Sequence, residues 1–414
     1  MYKLLRNNFS QTFNKSLKHQ LSYFERENIR RKFDQEKMVK ANFNFRKVVG
    51  TGFDLNSVDC YEFTNAETKE GKNLVANSYI KVVLPFETNA DLVLLVRHYL
   101  LNKMRIGKLL EIMDFIAGRV CYRHLAVLGD HKFTCVTACI DNFQVFEDNY
   151  SLDENIFIEA YLSYVGSRTM EVQVDVLSTS NKLLMSVNFL FVAKSNDPTE
   201  KRVPALDLEN DENPDKAHLL YEMGKVNQDK RITEAKTSSF KIPPSPSEMQ
   251  ELHEIWLGDD SQGNRISMAD TIQKKTELKH LSDRNVHGTV FGGTLMRESF
   301  ELAFVTADLI APKGNSPHLV HISDTQFYKP VHAGNIVNYE SVVNYIQGNN
   351  VSVNVTIDVL DKDEKGIKAE RTNEFNVIFD IGKSVGKIVP QSYKEAMQYI
   401  QGKRKLMNLL SHKD

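Results

Sequence analysis

The chain has 414 residues, which at ~100–200 residues per domain is too long for one small domain. Hydrophobic residues make up 41% and charged residues 26%, a balance that excludes collagen-like, low-complexity and fully disordered chains. The net charge of −2 offers no basic excess for nucleic acid, and apolar runs such as residues 92–96 fall far short of the ~20 residues of a membrane helix.

The amino-terminal residues 1–24 contain Lys3, Arg6, Lys15 and Lys18 and no acid. Leu5, Phe9, Phe13, Leu17, Leu21 and Phe24 recur every three or four residues, forming one apolar stripe on a helix. A basic, amphipathic, acid-free start is the pattern of a mitochondrial transit peptide. The reading therefore expects a mitochondrial protein of the matrix. Residues 25–75 form an extension with no clear pattern. Residues 76–196 form a first patterned domain. Residues 197–250, with Pro198, Pro204, Pro214, Pro243, Pro244 and Pro246, read as a linker with a short helix at about 217–226. A second patterned domain covers residues 251–400, and residues 401–414 form a tail.

The two domains repeat one unit. In the first, Met170, Val172, Val174 and Val176 alternate with Glu171, Gln173 and Asp175; in the second, Val351, Val353, Val355, Ile357 and Val359 alternate with Ser352, Asn354, Thr356 and Asp358. Period two is the pattern of a half-buried antiparallel strand. Each such strand follows a glycine, Gly166 or Gly348, and sits between two further strands, at 157–164 and 183–193 or at 336–345 and 373–379. Upstream lies a segment apolar nearly all round, 107–119 or 293–309, which as a helix must be buried on most sides. The expected fold class is α+β, with one long helix wrapped by an antiparallel sheet, present twice.

The segment Asn285-Val286-His287-Gly288-Thr289-Val290-Phe291-Gly292-Gly293 resembles the signature of the hotdog-fold acyl-CoA thioesterases: an Asn, a nearby His, then Gly-Gly opening the central helix. The continuation Met296-Arg297 with Glu301-Leu302-Ala303 is most similar to the mitochondrial thioesterase 9 group of that family. Residues 107–114 and 165–172 of the first half add to the likeness, which spans roughly residues 75–400. The resemblance implies two fused hotdog domains, an acyl-CoA substrate and assembly into trimers of such chains. The family often has Asn after the His, where this chain has Gly288.

Thioester hydrolysis needs a base or nucleophile, a polarised carbonyl and room for the acyl chain. The Gly292-Gly293 pair lets backbone N–H groups approach a ligand, and a helix opening there aims its free N–H groups at the thioester oxygen, an oxyanion hole. Asn285 can orient water or the carbonyl. Thr294, in the same turn, and His287 are candidates for substrate contact. Aligning Gly293 with Gly107 pairs Asn285 with Tyr99, and Asp114 with Phe300, so each half has lost what the other kept. Because the resemblance draws the Asn and the acid of one site from different units, Asn285 and Asp114 are expected to form one working site across the domain interface, with Tyr99 and Phe300 forming a silent one. Asp114 would act as general base or as nucleophile. Glu111 is a rival acid and Glu301 a weaker one. Ser167, Arg168 and Thr169 lie where the family binds the coenzyme, and Arg suits phosphate.

Cys60, Cys121, Cys135 and Cys139 read as reduced thiols, and no second ligand pair at metal spacing accompanies Cys135 and Cys139, so no metal is expected. There is no Gly-x-Ser-x-Gly elbow, Walker loop or dinucleotide motif, so no cofactor is implied. The function read from the sequence is hydrolysis of acyl-CoA to free acid and coenzyme A. The alternatives are an enoyl-CoA hydratase or dehydratase, and a non-catalytic acyl-CoA sensor or scaffold.

Overall fold

The computed structural model describes residues 38–41, 60–63, 73–98, 103–126, 133–147, 150–196, 202–211, 213–236, 242–258, 265–284, 288–323, 325–364 and 366–410. The basic residues 1–24, Tyr99, Asn285 and His287 lie outside them. Among the described residues, no helix is long and apolar enough to cross a membrane.

In the first unit, strands β1 (Met38–Ala41), β2 (Cys60–Phe63) and β3 (Ile80–Leu84) frame a helical turn, α1 (Val75–Ser78). A short helix, α2 (Ala90–Val96), and the small hairpin β4 (Arg97–His98) and β5 (Lys103–Met104) lead into the long helix α3 (Ile106–Leu125). Four strands follow: β6 (Phe133–Val145), β7 (Ile156–Val165), β8 (Thr169–Ser178) and β9 (Leu183–Ser195). Helices α4 (Pro214–Lys236) and α5 (Pro246–Leu257) lead to β10 (Arg265–Ser267) and β11 (Gln273–Leu278). The second unit is completed by α6 (Gly292–Ile310), β12 (His318–Ile322), β13 (Thr325–Phe327), β14 (Ile336–Gln347), β15 (Asn350–Asp363), β16 (Gly366–Asp380), β17 (Lys387–Val389) and α7 (Tyr393–Leu410).

Both repeats form the expected hotdog arrangement. α3 lies on β6, β7, β8 and β9, while α6 lies on β14, β15 and β16, and the two helices pack on each other. α3 is stable as a helix because its apolar residues Leu109, Leu110, Ile112, Met113, Ile116 and Val120 all find cover within the fold. α6 opens on the glycine pair after Phe291 in extended backbone and ends at Ala311, which precedes a proline and is itself extended. Gly348 turns the β14–β15 hairpin at φ +60°, a conformation that favours glycine.

The two sheets join edge to edge. Strand order is β1-β2-β3-β7-β8-β9-β6-β13-β16-β15-β14-β11, with β12 also on β16. The seam is the β6–β13 pairing, Thr325 with Ile140 and Gln326 with Cys139.

The alternating strands are not half-buried, as their pattern predicted. Glu171 and Asp175 of β8, and Ser352, Asn354 and Thr356 of β15, are buried. The reason is that helices cover the outer face of each sheet. α4 lies over the first, where Arg231 bonds Asp141 (2.5 Å) and Glu171 (2.7 Å), and Glu171 also accepts from Ser163, Asn188 and Asn227. α7 covers the second, where Glu374 accepts from Asn354 (2.8 Å) and Gln401 (2.7 Å). A polar stripe in these strands therefore marks a hydrogen-bonded interlayer rather than a solvated face.

The linker read at 197–250 is knitted to the first unit. The Val203 N–H donates to Ser167, the Asp207 N–H to Asn73, and the Val75 N–H to the Asp211 carboxylate. Its helix α4 has 23 residues rather than about ten. α5 spans the boundary drawn at 250/251 and packs with the second unit through Arg404 on Glu248 and Tyr399 on Glu251. α7 spans the boundary drawn at 400/401.

Candidate active site at the α3–α6 crossing

The start of α6 lies directly on α3. A Cβ added to Gly293 would sit 2.9 Å from the Glu111 Cα and 3.1 Å from its carbonyl oxygen, so only glycine permits this approach. Gly292 is nearly as confined: a Cβ added there would meet Thr137 at 3.1 Å and Asp114 at 3.3 Å.

This contact brings Asp114, from the middle of α3, to the first turn of α6. Asp114 is fully buried. Its Oδ1 accepts from the Thr137 hydroxyl of β6 at 2.7 Å, and its Oδ2 accepts from the Gly293 N–H at 2.7 Å. Burial pushes its carboxyl up from 3.8 to about 7, opposed by these two hydrogen bonds and reinforced by the nearby Glu111 charge. A buried carboxylate poised near neutrality is a candidate base with a physical rationale.

The Gly293 N–H thus donates to Asp114, whereas the motif predicts a thioester oxygen as its acceptor. The N–H of Gly292 donates to no group among the described residues. The Thr294 hydroxyl donates to Glu111 Oε1 at 2.9 Å. Glu111, the rival acid, is buried and paired with Lys108 at 2.5 Å and Arg297 at 3.3 Å. Thr137 was not singled out from the sequence. It lies in a strand of ordinary β-formers, and only its cross-strand position beside α3 identifies it.

Ser167 and Arg168 form an exposed turn between β7 and β8, with Thr169 half-buried after it. The turn is fixed by the Gly166 N–H on Thr169 and the Ala193 N–H on Arg168. Met170 pairs with Phe191, which pairs with Thr137. The turn therefore ends a strand two positions across the sheet from Thr137, at roughly 10 Å for strands ~4.8 Å apart.

The pseudo-equivalent position in the other half is closed. A Cβ added to Gly107 would sit 3.1 Å from the Arg297 carbonyl oxygen, just as one added to Gly293 would from that of Glu111. Phe300 stands where Asp114 would be and packs on Phe379 with ring centroids 5.8 Å apart. Matching register shifts, between Thr137 and Cys139 and between Leu319 and His321, put Leu319 at the position of Thr137. Glu301, the weaker candidate acid, lies here and is held by Arg105 in a two-bond pair of 2.6 and 2.9 Å. Cys121, Cys135 and Cys139 are buried and in no disulfide. Among the described residues, no group of three or more His, Cys, Asp or Glu could hold a metal.

No profile of a known protein family matches the chain. It is 30% identical over 348 residues to acyl-coenzyme A thioesterase 10, mitochondrial, of Mus musculus, an alignment covering 80% of this chain and 77% of that protein. It is 30% identical over 355 residues to acyl-coenzyme A thioesterase 9, mitochondrial, of Mus musculus, covering 79% and 77%. Among solved structures, the acyl-CoA hydrolase from Staphylococcus aureus in complex with butyryl coenzyme A, coenzyme A and coenzyme A disulfide matches at 26% identity and a TM-score of 0.33. That match covers 36% of this chain and 92% of the hydrolase.

Proposed function

Because the chain belongs to the family of the mitochondrial acyl-coenzyme A thioesterases 9 and 10 and hydrolyses acyl-CoA thioesters, we propose that it does so at one composite site, with Asp114 from the first unit and the opening of α6 from the second. The observation that supports this reading most directly is the pair of hydrogen bonds that aim Asp114: one from Thr137, one from Gly293. In the proposed reaction Asp114 acts as general base. It takes a proton from water as the water oxygen attacks the thioester carbonyl carbon. The oxyanion that forms is met by the N–H of Gly292, with the positive end of the α6 dipole behind it. Collapse breaks the C–S bond, and the proton held on Asp114 passes to the departing sulfur, giving free acid and coenzyme A.

Asn285, seven residues before Gly292, orients the attacking water or the carbonyl, and His287 contacts the substrate. Arg168, with Ser167 and Thr169, receives the phosphates of coenzyme A at the β7–β8 turn. The enzyme works in the mitochondrial matrix, after loss of the basic residues 1–24, as a trimer of such chains. These assignments draw on the family resemblance and on the basic, acid-free amino terminus.

The test is release of free thiol from a series of acyl-CoAs of increasing chain length, with wild type beside Asp114→Asn. Turnover by wild type and loss of ~10²–10⁴-fold in the variant is expected for removal of a general base. Near-normal turnover by Asp114→Asn would overturn the composite site.

A further inference from the structure

We propose that Glu111 is a positioning residue for thioester hydrolysis, holding the first turn of α6 in place against Asp114. The inference rests on the composite site proposed above and deepens it. Three observations carry it.

The first is where Glu111 stands. It lies one helical turn before Asp114 on α3, so the two side chains share a face, and the backbone at Glu111 is the surface on which Gly293 rests. The second is what its carboxylate holds. Oε1 accepts from the Thr294 hydroxyl at 2.9 Å, next in the chain to the residue whose N–H meets Asp114. Oε2 faces Lys108 at 2.5 Å and Arg297 at 3.3 Å. One side chain thereby ties the start of α6 (Thr294) and its next turn (Arg297) to α3. The third is burial. Glu111 and Lys108 are each only 2% exposed, and a buried ion pair costs desolvation that packed apolar side chains would not. The pseudo-equivalent residue in the silent half is Arg297 itself, so the acid exists on one side of the crossing only, the side that keeps Asp114.

The groups that bear on Asp114 are Glu111 and Cys121 from α3, Thr137 from β6 and the Gly293 N–H from α6. Those that bear on Glu111 are Lys108 and Asp114 from α3, and Arg297 and Thr294 from α6. Glu111 is the negative neighbour that raises the Asp114 carboxyl. Replacing it with a neutral amide of the same shape removes that charge and leaves two cations nearby, and both changes favour the ionised form of Asp114. Replacing Thr294 with valine leaves the charge and removes the tie.

The experiment compares the pH profile of kcat/KM, and kcat and KM separately, for wild type, Glu111→Gln, Thr294→Val and Asp114→Asn. Glu111→Gln is expected to move the acid limb to lower pH by several tenths of a unit. Thr294→Val is expected to lower kcat ~10-fold, as a small misplacement of a catalytic group does, with KM nearly unchanged and the limb where wild type has it. Circular dichroism establishes that each variant is folded, and both substitutions preserve side-chain volume. If Asp114→Asn is inactive while Glu111→Gln and Thr294→Val match wild type in limb and kcat, Glu111 is an ordinary buried acid and this inference fails alone. If Asp114→Asn is active, the composite site fails first.

Discussion

Replacing Asp114 by Asn should destroy turnover and stabilise the fold, and the second effect should depend on pH. The carboxyl of Asp114 is raised from 3.8 to about 7 by burial. At ~1.4 kcal/mol per unit, keeping it ionised costs the folded state about 4 kcal/mol. The unfolded chain releases this proton near 3.8 and the folded chain near 7. The contribution to stability is therefore complete below the lower value and is lost as pH rises through the upper one. Asn is neutral throughout and keeps the geometry: its Oδ1 can accept from Gly293, and its amide can donate to the Thr137 oxygen. Relative to wild type, the variant should gain most of that ~4 kcal/mol above about pH 8 and nothing below about pH 4. Denaturant midpoints by circular dichroism across that range, with thiol release on the same samples, measure both effects. A stability difference that is flat with pH would refute the argument that burial governs this carboxyl, even if turnover were lost.

Two further outcomes are expected. Thr137→Val deletes the hydrogen bond that opposes the upward shift of Asp114. The acid limb of kcat/KM should move to higher pH, with a loss of ~10-fold or more at neutrality, and an unmoved limb would remove Thr137 from the site. Arg231→Ala removes the guanidinium bonded to the fully buried Glu171 and to Asp141. A loss of ~3 kcal/mol in unfolding free energy is expected, along with faster proteolysis of α4, while intact stability would mean that the interlayer relaxes or hydrates.

The repeat was legible because period-two and all-round apolar patterns reflect burial directly. The paired strands and the two long helices lie where those patterns put them, although α3 runs six residues further and β16 begins seven residues earlier than the patterns mark. Asp114 could be found because it lies between Met113 and Phe115 and the repeat sets it against Phe300, which distinguishes it from Glu111 in the same helix. Thr137 could not, since its role comes from a β-strand 23 residues downstream folding back against α3. The outer layer misled for a related reason. Glu171, Ser352 and Asn354 look solvated along the chain, but α4 and α7 arrive from distant sequence to cover them, and polar identity does not distinguish water from a hydrogen-bonding helix. The Gly292-Gly293 pair signalled a close approach. What it approaches, the backbone at Glu111, depends on how the two units cross.

The filled half-site has a consequence for the history of such a chain. A duplicated enzyme starts with two equivalent centres, and either may decay while the other works. Under the proposed composite site the second position is built over: Phe300 packs on Phe379 with the rings tilted, Leu319 stands where Thr137 stands in the other half, and Glu301 is clasped by Arg105. Restoring an acid at position 300 alone would strand a charge against aromatic rings, so no single substitution leads back. On the proposed composite site the two halves have opposite duties, one supplying the acid and the other the helix opening. Neither can be selected for catalysis without the other, and each turnover reports on the chain as a whole.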